Sequence, residues 1–165
     1  MNKTNWKEIE FSSIIDRIYK AKAHTKEELE LLDYSTSDTI PFVTRTELNN
    51  CVDGFAINNG LEGIEEGNAI IIGDTTSTIS YQKEQFIAGD HIVVIRADWI
   101  NEFTALFIVT LLNMERYRYS YASAFVVDSI KKTKIRLPIG DDQKPHWDFI
   151  EEFMKLVNIS KNLIF

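Results

Sequence analysis

Apolar residues recur along this chain in several rhythms, and each rhythm predicts an element. Ala69-Ile70-Ile71-Ile72 is an unbroken, mostly β-branched run, which predicts a strand buried on both faces. Residues 91–96 (HIVVIR) predict a second strand, entered through the turn Ala88-Gly89-Asp90. Phe103, Leu106, Phe107, Thr110, Leu111 and Met114 keep helical spacing behind Asn101, a suitable N-cap. A weaker alternation over residues 6–18 predicts a strand followed by a short helix. Residues 25–32 (TKEELELL) predict a helix start, with Thr25 as N-cap and Glu28 at the capping-box position. Strand-like patterning returns at 125–127 and 130–137 before Pro138 and Gly140 break it. From Pro145 a last helix places Asp148, Glu151 and Glu152 near its positive end. It carries a broad stripe that includes Phe149, Ile150, Phe153, Met154, Leu156 and Val157. Gly54, Gly60, Gly63 and Gly67 mark turns between short strands. The fold class predicted is α+β: a mixed, short-stranded β core with packed helices and a C-terminal amphipathic helix.

A chain of 165 residues with 44% hydrophobic residues fits one domain with a real core. The single cysteine, Cys51, excludes an internal disulfide framework and a cysteine-based zinc site, so a reducing cytoplasm is expected. The stretch MNKTNWKEIE lacks the apolar core of a secretory signal, and the apolar runs are too short to span a bilayer.

Charge changes the picture by its distribution. The net charge of −7 argues against indiscriminate binding to nucleic acid. Residues 27–66 hold ten carboxylates and one basic residue, Arg45, whereas residues 116–136 hold six basic residues and one acid, Asp128. Arg17, Lys20, Lys22 and Lys26 add a second basic stretch. One face can therefore be positive on an acidic protein, although ordinary solvated charges would give the same totals.

Signs of catalysis are weak. His24, His91 and His146 are scattered, and no HExxH, GxSxG or glycine-rich phosphate loop occurs. The stretch GLEGIEEG carries three glutamates that would repel phosphate. Asp90 and His91 are neighbours that a strand would point to opposite faces.

Signs of recognition are better. Arg, Asn, Gln, Ser and Thr can read base edges or hold phosphates. Thr44, Arg45 and Thr46 with Asn49 and Asn50 form one such set. Thr75, Thr76, Ser77 and Thr78 with Gln82 form another. Arg116, Tyr117, Arg118 and Tyr119 interleave basic and aromatic side chains, and Lys131, Lys132 and Lys134 come next. Each set has a plain rival: threonine-rich turns, a tyrosine-rich helix end packed on the core, a solvated lysine face.

IPFVTRTELNN, EGNAIIIGDTTSTISYQ, FIAGDHIVVIR, ALFIVTLLNMERYRYSY, KIRLPI and PHWDFIEEFMK follow one another between Ile40 and Lys155, in an order and spacing that run over nearly the whole chain, from about Trp6. This succession resembles a target recognition domain of the specificity subunits of type I restriction–modification systems and of related type IIB and IIG enzymes. The resemblance implies a non-catalytic module that reads double-stranded DNA. It directs a partner DNA methyltransferase, and often a nuclease, with S-adenosylmethionine bound on the methyltransferase and no cofactor in this chain. It also implies that the 44–50 loop faces DNA, with the 116–121 segment near the same surface. Residues 1–144 would form the recognition domain and 145–165 a spacer or dimerisation helix. Trp147, Phe149, Ile150, Phe153, Met154 and Val157 would there meet a second copy or the methyltransferase. Alternatively, that helix folds back on its own domain. Cys51 stands where such domains often have a glycine, which implies a different turn. Two other readings stay open: a protein-binding regulator or decoy of such a complex, and a hydrolase using His91 with Asp53 or Asp74.

Overall fold

The computed structural model describes residues 5–118 and 127–162. In chain order the strands are β1 (Asn5–Glu10), β2 (Arg17–Lys20), β3 (Leu31–Leu32), β4 (Thr39–Val43) and β5 (Val52–Ile57). They continue with β6 (Ala69–Gly73), β7 (Ile79–Gln82), β8 (Ile87–Ala88), β9 (Ile92–Arg96) and β10 (Lys134–Ile139). The α-helices are α1 (Glu102–Glu115), α2 (Val127–Lys132) and α3 (Trp147–Asn162). Among the described residues the strands form three sheets. One is antiparallel in the order β2-β9-β6-β7, one runs β3-β5-β4-β8 with a parallel β4-β8 edge, and one is the β1-β10 pair.

β6 and β9 lie side by side at the centre, Ile70 opposite Ile95 and Ile72 opposite Val93. Side chains alternate across a strand, so these two runs serve both faces of one sheet. Ile70, Ile72, Val93 and Ile95 pack with Ala105, Ile108 and Leu112 of α1. Ala69, Ile71, Ile92 and Val94 pack the other way, against Val43, Cys51, Phe86 and Ala88. A strand covered on both sides needs no polar positions, which explains the unbroken apolar run. Each fully buried isoleucine contributes roughly 1.5–3 kcal/mol relative to an exposed one.

α1 starts as its sequence predicts. The Asn101 side chain accepts from the backbone N–H groups of Phe103 and Thr104, and Thr104 Oγ1 accepts from Asn101 N at 3.0 Å. Thr25 and Glu28 also form the expected capping box, but it opens a single 3-10 turn (Lys26–Glu28) and no helix. Leu31 and Leu32 leave that turn to pair with Ala56 and Phe55, and the strand pairing overrides local helix preference. The strand expected from Ile130 begins later. Ile130 lies in α2, fully buried in the main core, and β10 starts at Lys134.

α3 folds back on its own domain. Trp147 stacks on Trp99 with ring centroids 4.3 Å apart, and Ile150 is fully buried in the core shared with α1. Asn101 Nδ2 donates to Glu151 Oε2 at 3.0 Å, linking the two helix starts. Ile150, expected on a partner surface, therefore belongs to the interior, while Trp147 and Met154 are half-buried and pack against the same core. Phe153, 46% exposed, and Leu156 keep their faces to solvent. The core crosses the expected boundary at residue 144. No helix among the described residues is long and apolar enough to cross a membrane.

Candidate nucleic-acid interface

The polar loop between β4 and β5 is closed at its neck by Thr44 N donating to Cys51 O at 2.8 Å. Inside it Asn49, Asn50 and Cys51 have φ of 49°, 55° and 67° in succession. Asparagine tolerates this left-handed region, and cysteine does so at a cost of roughly 1–2 kcal/mol. Cys51 adopts a positive φ, a conformation that favours glycine, and its side chain is buried. The strain is held by β7. Asn50 Nδ2 donates to Tyr81 O and Gln82 Nε2 donates to Asn50 O, both at 2.8 Å.

The threonine segment forms the turn between β6 and β7. Gly73 N donates to Thr78 O, Ser77 N donates to Gly73 O, and Ser77 takes φ 55°. This turn packs directly on the first loop. A Cβ on Gly73 would lie 2.5 Å from Thr78 Oγ1, 2.8 Å from Thr76 Oγ1 and 2.9 Å from Arg45 Cγ. Only a hydrogen side chain allows that approach. Across the join, Arg45 Nη1 donates to Thr75 Oγ1 at 2.5 Å, and Thr76 Oγ1 to Arg45 O at 3.5 Å. From the end of α1, Arg116 Nη2 reaches Glu47 Oε1 at 2.5 Å and Thr76 O at 3.4 Å. Three segments remote in sequence thus meet in one patch.

Beside it sits a charged knot around the buried Asp74. The Asp74 side chain, 3% exposed, pairs with Lys20 Nζ at 2.9 Å, and this carboxylate raises the Lys20 pKa by hydrogen bonding and charge. Asp74 N donates to His91 O. His91 Nδ1 lies 3.0 Å from Asp74 Oδ1, at ion-pair distance but outside hydrogen-bond geometry, and its Nε2 lies 3.1 Å from Asp90 Oδ2. His91 is not the strand residue expected. It has φ 62° and precedes β9, so both carboxylates flank its ring instead of facing away.

The sequence-predicted residues divide. Thr44, Arg45, Thr46, Asn49, Asn50, Thr75 and Thr76 are accessible around the patch. Ser77, Thr78 and Gln82 are buried, and Gln82, at 4% exposure, braces the first loop from below. They are supports and not surface groups. Asn50 offers an exposed face, but its amide N–H is held by Tyr81. Tyr117 is exposed, whereas Tyr119 and the Arg118 side chain lie outside the described residues. Lys131 lines a separate depression with Ser12, Ile15, Asp16, Arg17, Ile18 and Tyr19, and Lys132 is exposed on the same helix.

Sequence reasoning missed Gly73, Glu47 and Lys26. An open depression of about 570 Å³ runs from Arg45 and Thr76 to His24, Thr25 and Lys26, and Lys26 pairs with Asp53 at 2.8 Å. The basic character of residues 17–26 was the available signal for Lys26, but nothing local joined it to Arg45.

Residues 3–164 match the family described as the type I restriction modification DNA specificity domain. The specificity subunit S.BcgI of a type II restriction enzyme from Heyndrickxia coagulans is 29% identical over 128 residues, 74% of this chain and 37% of that protein. The HsdS subunit from Thermoanaerobacter tengcongensis superposes with a TM-score of 0.61 at 10% identity, over 94% of this chain and 38% of the other. For the S subunit of a type I restriction–modification system from M. genitalium the values are 0.59 and 16%, over 96% and 41%. The chain spans less than half the length of each. At these identities the two structures establish a shared fold, in agreement with the α+β expectation.

Proposed function

Because the chain belongs to the type I restriction modification DNA specificity domain family, we propose that its convergent loops read base edges of duplex DNA and so direct a partner DNA methyltransferase. The observation that carries this reading is the meeting of Arg45, Thr75, Thr76 and Arg116 from three separate segments. Arg45 presents a two-pronged donor suited to guanine, and Asn49 a donor–acceptor pair suited to adenine. Thr44, Thr46, Thr75 and Thr76 supply hydroxyls for base edges or phosphates. Arg116 and Tyr117, with Lys131 and Lys132 further along, hold the backbone. Asn50, Ser77, Thr78 and Gln82 keep the loops in place.

In this reading the chain carries no catalytic residue, and S-adenosylmethionine and methyl transfer belong to the partner in the cytoplasm. Phe149, Phe153 and Val157 on α3 form part of the contact with that partner or with a second copy. A nuclease subunit joins through the partner. The acidity fits a sharing of the work: with a net charge of −7 the domain binds DNA weakly alone, and the partner supplies further phosphate contacts.

Selection from a randomised duplex library, with the chain alone and with its methyltransferase, tests this. A short motif should be enriched, more strongly with the partner, and Arg45→Ala should lose it. An inverted repeat would show two copies acting together. No enrichment in either condition would exclude sequence reading and leave a protein-binding regulator.

A further inference from the structure

The 44–50 loop is polar apart from Leu48, and Leu48 is 71% exposed. A leucine in water loses the burial that ordinarily stabilises it, so a loop free to rearrange would turn it inward. This loop is not free. Leu48 N donates to Thr46 Oγ1 at 3.2 Å, and Leu48 O accepts from Cys51 N at 2.9 Å. The next three residues are all left-handed, and the middle one, Asn50, is locked to β7 through Tyr81 and Gln82. The isobutyl group is therefore held out on a strained and pinned backbone, between Glu47 and Asn49 on a loop that also carries Arg45.

An apolar group in that company needs an apolar counterpart among base edges. The major groove offers one, the 5-methyl group of thymine, in the same groove where Arg and Asn make their two-pronged contacts. We infer that Leu48 is a specificity-determining residue that packs against a thymine methyl group within the recognised sequence. The inference rests on the reading of this loop as the DNA-facing one. It adds an apolar contact to a set otherwise made of hydrogen bonds, and it commits the target to contain a thymine under the loop tip.

Replacing each thymine of the selected duplex by uracil, one position at a time, removes the methyl and leaves base pairing unchanged. Binding of the chain with its methyltransferase is then measured for the wild type, Leu48→Ala and Leu48→Met. One uracil position should weaken wild-type binding about fourfold, the worth of one buried methyl-sized group. Leu48→Ala should weaken binding to the thymine duplex by a similar factor or more and be indifferent to uracil at that position. Leu48→Met should keep most of the sensitivity. A Leu48→Ala loss that is the same on thymine and uracil duplexes at every position would assign Leu48 to loop structure and overturn the inference. Loss of a DNA bend, read by end-to-end energy transfer, with no coupled thymine would make Leu48 a wedge between base steps and overturn it equally. If no motif is enriched in the first place, the reading of the loop itself fails, an outcome separate from an enriched motif with no thymine coupling.

Discussion

The two ends of this domain are held by different physics. Around α3, a stacked tryptophan pair and a fully buried Ile150 fix the helix by burial. Around the 44–50 loop, the backbone is held by hydrogen bonds from Asn50 and Gln82 and carries three left-handed residues in a row. Burial tolerates small shifts and yields stability. A pinned and strained loop yields a fixed presentation of side chains at some cost in stability. A substitution at one end should therefore register as unfolding, and at the other as lost recognition.

The largest expected effect tests the first half of that contrast. Ile150→Ala should cost about 2–5 kcal/mol of stability in urea unfolding, because a cavity opens between α1 and α3. The motif selected at low temperature should be unchanged, and a changed motif would show that the two ends are coupled. Gly73→Ala probes the other end. Its methyl group would press on Thr76, Thr78 and Arg45, costing about 1–3 kcal/mol. Motif discrimination should fall by more than stability alone explains when fraction folded is measured in parallel. Equal discrimination by the folded fraction would mean that the close approach of the loops does not matter for reading.

A smaller effect comes from Cys51, which touches both regimes. Burial pushes its thiol pKa up. The folded state then holds its proton at a pH where the unfolded thiol, with a pKa of about 8.5, has lost it. The resulting contribution is complete below the unfolded pKa and declines as pH rises above it. Unfolding midpoints at neutral and alkaline pH should diverge more for the wild type than for Cys51→Ala. Identical pH dependence would show that the thiol is not desolvated.

Much of the frame is readable in the residues. Ala69–Ile72 and Ile92–Arg96 announce a doubly covered sheet, and Asn101 announces the start of α1. The cap at Thr25 is equally clear, yet the conformation of the chain beyond it depends on Leu31 and Leu32 finding Phe55 and Ala56. That pairing is set by contacts distant in sequence. The site is readable as three polar segments but not as one patch. Thr75–Thr78 forms a turn whose left-handed Ser77 decides which hydroxyls face out, and in β7 the period of two does not say which face another loop will cover. Ser77, Thr78 and Gln82 therefore look equal to Thr75 and Thr76 in the sequence. His91 escapes sequence reasoning for a related cause: a left-handed residue before β9 turns its ring between Asp74 and Asp90, which strand geometry forbids.

The succession of left-handed residues at Asn49, Asn50 and Cys51 has a meaning for how such a domain changes its preference. The frame they fix asks an asparagine-like tolerance of position 49 and a hydroxyl at 46, which accepts from Leu48 N, but no hydrogen bond or ion pair of the Leu48 side chain enters it, much as a printer's frame is indifferent to one letter set in it. If the loop reads DNA as proposed, exchanging that letter, while Asn49, Asn50, Gln82 and Gly73 stay in place, offers a route to a new preference without a new fold. Because the frame is set before DNA arrives, a changed letter would alter affinity through its own contacts, with little added ordering of the chain to oppose it.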